Sequence, residues 1–158
     1  MNKLKVKYTE NYSGEEISIP RKGDIGIDVY ADEEVFIPVG ECALIGLGIS
    51  VEIPEGYWIS FRDRSSMSKY THVLAGVIDT SYRGPLKVRM LCHTVRESNL
   101  NGEDLRVHGV TQGVKISPGD KIAQMILCRD FNSEFEVEST DELSQTERGE
   151  GGFGSTGS

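Results

Sequence analysis

Several short stretches of this chain hold residues able to handle a phosphorylated substrate. "FRDRSSMS" joins Arg64 to Ser65 and Ser66 at an expected helical start, where a guanidinium, hydroxyls and backbone N–H groups converge. That combination suits a phosphate oxygen, and it equally describes an ordinary N-cap beside a surface arginine. "AGVIDTSYRG" sets Asp79 and Tyr82 on a tight turn between apolar runs. A carboxylate held there can activate a water as general base; as a bare pattern the stretch is a hairpin corner. In "GDIGIDVYA", Asp28 lies between apolar residues in a strand-like setting, where an acid commonly serves as a structural acceptor. "PGDKIAQMIL" opens on a turn, and strict alternation puts Gln124 with Ile122 and Ile126 on the core-directed face. A polar side chain there needs a partner, from the protein or from a ligand. The last stretch, "RGEGGFGSTGS", has five glycines in eleven positions, yet carries Arg148, Phe153 and the pair Ser155–Thr156. Its composition cannot pack a core and reads as a linker.

The rest of the chain bounds what these residues can serve. At 158 residues and 37% apolar content there is enough for one core and little for a second. A net charge of −8 argues against nucleic acid, whose phosphates need a clustered basic surface. Cys42, Cys92 and Cys128 are widely spaced, lack a CxxC pairing and sit among apolar residues. They read as reduced core cysteines of a soluble, cytoplasmic protein. The first residues lack the apolar region of a signal peptide, and no run approaches the ~20 apolar residues of a membrane span. His72, His93 and His108 show no metal-ligand spacing, so no zinc site is expected.

The elements that must position the candidate residues are strands. Alternating or β-branched runs closed by turn residues cover Lys3–Tyr8, Glu34–Ile37, Cys42–Ile53, Trp58–Arg62, Leu86–Cys92, Val114–Ile116, Ile122–Cys128 and Glu134–Val137. Many short strands with Gly/Pro turns predict an all-β sandwich or barrel. Only "SSMSKY" suits a helical turn, with Ser65 or Ser66 to cap it. Two domains of behaviour follow: a β domain over 1–138, interrupted by a polar excursion over 94–113, and a flexible arm over 139–158.

In content and order, "GDIGIDVYA", "RSSMS", "GVIDTSYRG", "GDKIAQMI" and "RGEGGFGSTG" resemble the five signature motifs of the trimeric deoxyuridine triphosphatases, the dUTPases. The resemblance implies a jelly-roll-like β subunit in a homotrimer whose sites draw motifs from three subunits. It implies cleavage of dUTP to dUMP and pyrophosphate with Mg²⁺, lowering dUTP and supplying dUMP for thymidylate synthesis. Asp79 then matches the carboxylate that deprotonates the attacking water, and Tyr82 the ring beneath the deoxyribose. Gly76 falls in the hairpin whose backbone meets the uracil edge. Arg64, Ser65 and Ser66 match the phosphate-holding motif, with Ser66 standing where the family most often has glycine. Gln124 matches the residue that reaches the α-phosphate, and Asp28 the aspartate near the metal's water shell. No direct protein ligand to the metal is implied. Arg148 would meet the γ-phosphate and Phe153 would stack on uracil. Gly152, Gly154, Ser155 and Thr156 would wrap the phosphates as a closing lid.

Two other readings compete. The related dCTP deaminases share the Arg-Ser-Ser motif but place a catalytic glutamate on the following strand, where this chain reads "PLKVRMLCH" with Arg89. The 94–113 excursion is longer than the family's usual link and motivates a trimeric β scaffold that binds a regulatory protein partner.

Overall fold

The computed structural model describes residues 2–95, 112–147 and 149. Ten strands follow in order: β1 Lys5–Tyr8, β2 Ile27–Tyr30, β3 Val35–Pro38, β4 Cys42–Glu52, β5 Tyr57–Asp63, β6 Thr71–Leu74, β7 Val77–Ile78, β8 Pro85–Cys92, β9 Gly113–Ile116 and β10 Lys121–Arg129. Among the described residues their ladders are all antiparallel, in the orders β1-β4-β8-β6, β2-β10-β5-β7 and β3-β9. The protein is all-β, as its strand-and-turn rhythm predicts, and jelly-roll-like, as the resemblance implies.

Period-two patterning builds the core. In β8 Leu86, Val88, Met90 and Cys92 are buried while Pro85, Lys87 and Arg89 are exposed. Ile45, Leu47, Ile49 and Val51 of β4 point into the same core, joined by Ile27 and Val29, Ile59 and Phe61, Val114 and Ile116, and Met125. All three sheets therefore close over one apolar cluster. Each such side chain contributes about 1.5–3 kcal/mol relative to leaving it in water. In β4 the ladder to β8 shifts register between Gly46 and Ser50, and β1 takes up Ile49 to Glu52.

Four expectations are corrected. β10 does not alternate strictly: its pairing to β2 shifts between Lys121 and Ala123, and Ile122, Ala123 and Met125 are all buried. The bulge reverses the phase of the strand, so Gln124 stands half-buried on the face away from the core. Glu134–Val137 is not a strand; a 3-10 turn spans Asn132–Glu134, and every described side chain from Phe135 to Glu147 is exposed. With no ladder partner among the described residues, an alternating pattern has nothing to pair with. The three cysteines are free, but only Cys92 is buried, whereas Cys42 is exposed at the start of β4. Finally, the corner around Gly76 joins two sheets, since β6 pairs with β8 and β7 with β5.

Candidate active site

At its C-terminal end β5 runs into a tight double turn. The Arg64 carbonyl accepts the N–H groups of Met67 and Ser68 at 3.0 and 2.8 Å, and the Met67 carbonyl accepts those of Tyr70 and Thr71. The turn is pinned by buried Met67, and the Ser68 hydroxyl donates to the Ser65 carbonyl at 3.0 Å. Ser65 and Ser66 are left exposed on the outer edge. The expected helical turn forms, but on the Arg64 carbonyl rather than on a serine cap.

Arg64 reaches sideways to β2. Its Nε donates to Asp28 Oδ1 at 2.8 Å and its Nη2 to Oδ2 at 3.5 Å. Nη1 approaches the Lys121 carbonyl at 3.4 Å and Ser66 Oγ at 3.5 Å. Asp28 is half-buried, so the pair is partly shielded from water and directionally fixed. In register, Gln124 of β10 lies between Asp28 of β2 and Arg62 of β5. Its Nε2 donates to the Asp63 carbonyl at 2.9 Å, and its carboxamide covers Gly26, where any Cβ would overlap it. Asp28, Arg64 and Gln124 thus meet at one end of the sheet, beside a cleft of about 870 Å³ walled by Glu15, Arg21, Asp24 and Lys121.

Lys121, Glu15 and Tyr30 are participants that motif reading alone passes over. Lys121 Nζ lies 3.2 Å from Glu15 Oε2 and 3.5 Å from Asp28 Oδ2. The Tyr30 hydroxyl donates to Glu15 Oε2 at 2.8 Å. That hydrogen bond, followed by those of Lys121, holds the Glu15 carboxyl below its usual range, and Glu15 in turn raises Lys121. The available signal was "YSGEE", a glycine between a tyrosine and two acids, which lies outside every motif.

The second group lies along β7, an edge strand paired to β5 through Ile78↔Ile59 and Val77↔Ser60. The chain enters it through Ala75, at φ +51°, and Gly76, whose carbonyl accepts the Phe61 N–H at 2.6 Å. A Cβ on Gly76 would stand 2.6 Å from the Phe61 carbonyl oxygen, so the approach requires glycine. Past Asp79, its carbonyl accepts the Tyr82 N–H at 3.1 Å, and the Thr80 hydroxyl donates to the Tyr57 carbonyl. The Tyr82 hydroxyl donates to the Pro85 carbonyl at 3.1 Å, which holds the ring over Gly84. Asp79 is exposed, and its carboxylate meets no donor among the described residues. A cleft of about 510 Å³, walled by Leu44, Val77, Ile78, Tyr82, Pro85 and Lys87, opens on it. A mostly apolar trough with one carboxylate and the Lys87 ammonium in its wall has the lining of a sugar or base pocket.

The two groups stand far apart. Ile78 pairs with Ile59, which sets Asp79 beside Trp58, and Arg64 lies six residues further along the chain. At ~3.3 Å per residue that is about 20 Å. Of the remaining candidates, Arg148, Gly152, Phe153, Gly154, Ser155 and Thr156 lie outside the described residues, as do most of 94–113 and His108. His72 and His93, unconnected in sequence, stack at 4.7 Å; His72 Nδ1 lies 3.1 Å from Asp63 Oδ2, and His93 Nε2 lies 3.1 Å from the Ser68 carbonyl. They brace the Arg64 turn from outside. Among the described residues no three His, Cys, Asp or Glu side chains form a metal cage, and no helix is long and apolar enough to cross a membrane.

Known proteins share both the sequence and the fold. The dUTPase family profile matches residues 13–107 and 107–157. The deoxyuridine 5'-triphosphate nucleotidohydrolase of Yarrowia lipolytica is 38% identical over 151 residues, covering 92% of this chain and 86% of the relative. That of Bdellovibrio bacteriovorus is 36% identical over 160 residues, covering 98% and 95%. The solved dUTPase of Staphylococcus bacteriophage 80alpha, with dUPNHPP, superposes with a TM-score of 0.80 at 26% identity over the whole of both chains. With a profile matched along nearly its full length and relatives this similar, the chain belongs to the dUTPase family.

Proposed function

We propose that this protein hydrolyses dUTP to dUMP and pyrophosphate, by in-line attack of water on the α-phosphate. The observation that carries the reading is the division of labour along β5 in a chain of this family. A guanidinium is anchored by Asp28 at one end, and an open carboxylate faces a mostly apolar trough at the other. Asp79 takes the proton of the attacking water, whose oxygen bonds phosphorus as pyrophosphate departs. Tyr82 packs against the deoxyribose, and the backbone at Gly76 meets the uracil edge. Arg64, Ser65, Ser66 and Gln124 hold the phosphate chain, where electrostatic positioning does most of the work. Arg148 meets the γ-phosphate, Phe153 covers the base, and Gly152, Gly154, Ser155 and Thr156 close over the phosphates.

The separation of about 20 Å supports a shared site. That backbone distance is long for Arg64 and Asp79 of one subunit to meet the same nucleotide. A homotrimer, with each site assembled from neighbouring copies, removes the conflict.

Mg²⁺ fits the donors present. Asp28 offers hard carboxylate oxygens already engaged by Arg64 and Lys121, suited to a metal's waters more than to direct ligation. When bound with the substrate phosphates, the ion would supply charge neutralisation, with Asp28 beside its waters. The free cysteines accord with a cytosolic setting. Deamination of dCTP is disfavoured, because Arg89 occupies the strand position where the reading requires a glutamate.

The test is to incubate the protein with Mg²⁺ and each deoxynucleoside triphosphate and to assay pyrophosphate. Release from dUTP alone is expected; equal release from all of them would overturn base recognition. Truncation before Arg148 should leave the assembly and remove most of the turnover.

A further inference from the structure

We propose that Glu15, on the segment leading into β2, is a positioning residue for Arg64 that acts through Lys121 and Asp28. The proposal rests on reading Arg64 as a phosphate anchor. Glu15 is brought to its place by packing: a Cβ on the preceding Gly14 would stand 2.5 Å from Tyr30 Cγ and from the Tyr12 hydroxyl, so the segment lies flat on those rings only as glycine. The Tyr12 hydroxyl donates to the Glu15 carbonyl at 2.5 Å, and Tyr8 ties down the next turn by accepting the Ile17 N–H at 2.9 Å. With backbone and carboxylate both held, Glu15 presents Oε2 to Lys121 Nζ, whose ammonium also lies 5.5 Å from the Tyr30 ring centroid.

The charges then alternate through Glu15, Lys121, Asp28 and Arg64. Lys121 and Arg64 Nη2 share Asp28 Oδ2, each at 3.5 Å, so a closer approach of the ammonium weakens the guanidinium's hold on that oxygen. Glu15 draws the ammonium the other way. Without it, Lys121 settles on Oδ2 and the second Arg64 contact is loosened, leaving the guanidinium set only by its Nε bond to Oδ1 and the long Nη1 contacts. No contact among the described residues links these four charges to Asp79. The effect therefore falls on substrate binding and not on the chemical step.

The experiment compares Glu15→Gln, Lys121→Gln and the double variant in steady-state dUTP hydrolysis by the full chain. Glu15→Gln should raise KM about two- to fivefold, the size of exposed ion-pair couplings, with kcat unchanged. The shift should vanish near 1 M salt, where screening is effective within ~3 Å. Added to Lys121→Gln, the same substitution should change nothing, because the competing ammonium is already gone. A wild-type KM for Glu15→Gln, a fall in kcat instead, or the full shift persisting in the Lys121→Gln background would each overturn the proposal. Arg64→Ala separates the two levels. If it raises KM while Glu15→Gln does not, the positioning role alone fails; if it leaves KM unchanged, the anchor reading fails and takes the positioning role with it.

Discussion

At one end of β5, Arg64 is held by two contacts to Asp28 and flanked by Lys121, Glu15 and Gln124, each engaged with another side chain or a carbonyl. Beside the other end, Asp79 directly follows a two-residue edge strand, and the surrounding bonds are nearly all to backbone carbonyls. The first region fixes side chains; the second fixes the path of the chain and leaves its carboxylate open. A polyphosphate is met by cations whose charge and direction must be set beforehand, because reorganising them at binding costs affinity. A general base needs access to water and to a substrate delivered against it. The contrast suits a site in which a rigid anion cradle and an open corner are brought together from different copies.

The sharpest way to break that contrast is Asp79→Asn. Folding and assembly should be unchanged, since no side-chain bond among the described residues is lost, while turnover falls by roughly 10²–10⁴. Steady-state pyrophosphate release measures it, and near-wild-type turnover would end the base assignment. Next comes Arg64→Ala, which leaves Asp28 without its main partner and removes a charged donor from the cradle. KM should rise by about 10- to 100-fold, from the ~1.5–3 kcal/mol carried by hydrogen bonds to charged groups. A change confined to kcat would show that the cradle acts on chemistry and not on binding.

Gly76→Ala tests whether the corner is held by backbone fit. The new methyl meets the Phe61 carbonyl, and stability should drop by about 1–3 kcal/mol, read as a lowered Tm. The smallest effect belongs to the segment behind the cradle. Burial, with Tyr8, Tyr30 and Glu15 adding to it, pushes the Tyr12 phenol up from 10.0 to about 12. The fold thus favours the neutral phenol, which donates to the Glu15 carbonyl. Its stabilising contribution is complete below pH 10 and is lost as pH rises through about 12. Alkaline spectrophotometric titration should show Tyr12 and Tyr30 ionising late, with one of these late steps lost in Tyr12→Phe; ionisation of all tyrosines in a single step would contradict it.

Much of this was legible from residue types alone. β8 and the inward face of β4 follow plain alternation, because a half-buried strand must repeat every two residues. The Arg64 and Asp79 stretches were recognisable because each is local, with its chemistry contained in consecutive residues. Plain alternation puts Gln124 on the opposite face, because a bulge set by pairing with β2 changes the phase of β10 and leaves no mark in the spacing. Glu134–Val137 alternates without becoming a strand, since alternation licenses pairing and cannot supply the partner. Glu15, Tyr30 and Lys121 went unnoticed as a group for a related reason: their meeting depends on Gly14 lying against Tyr30, a contact between segments.

The sequence by itself determined the class of fold, the family and the identity of the candidate groups, because side-chain type, local spacing and motif order are properties of the chain. Only the tertiary structure decided that Asp28 grips Arg64, that Gln124 faces outward, that His72 and His93 stack, and that Arg64 and Asp79 stand at opposite ends of one strand. These follow from strand register and sheet crossover, which bring together residues distant in sequence and are settled by the packing of the whole core.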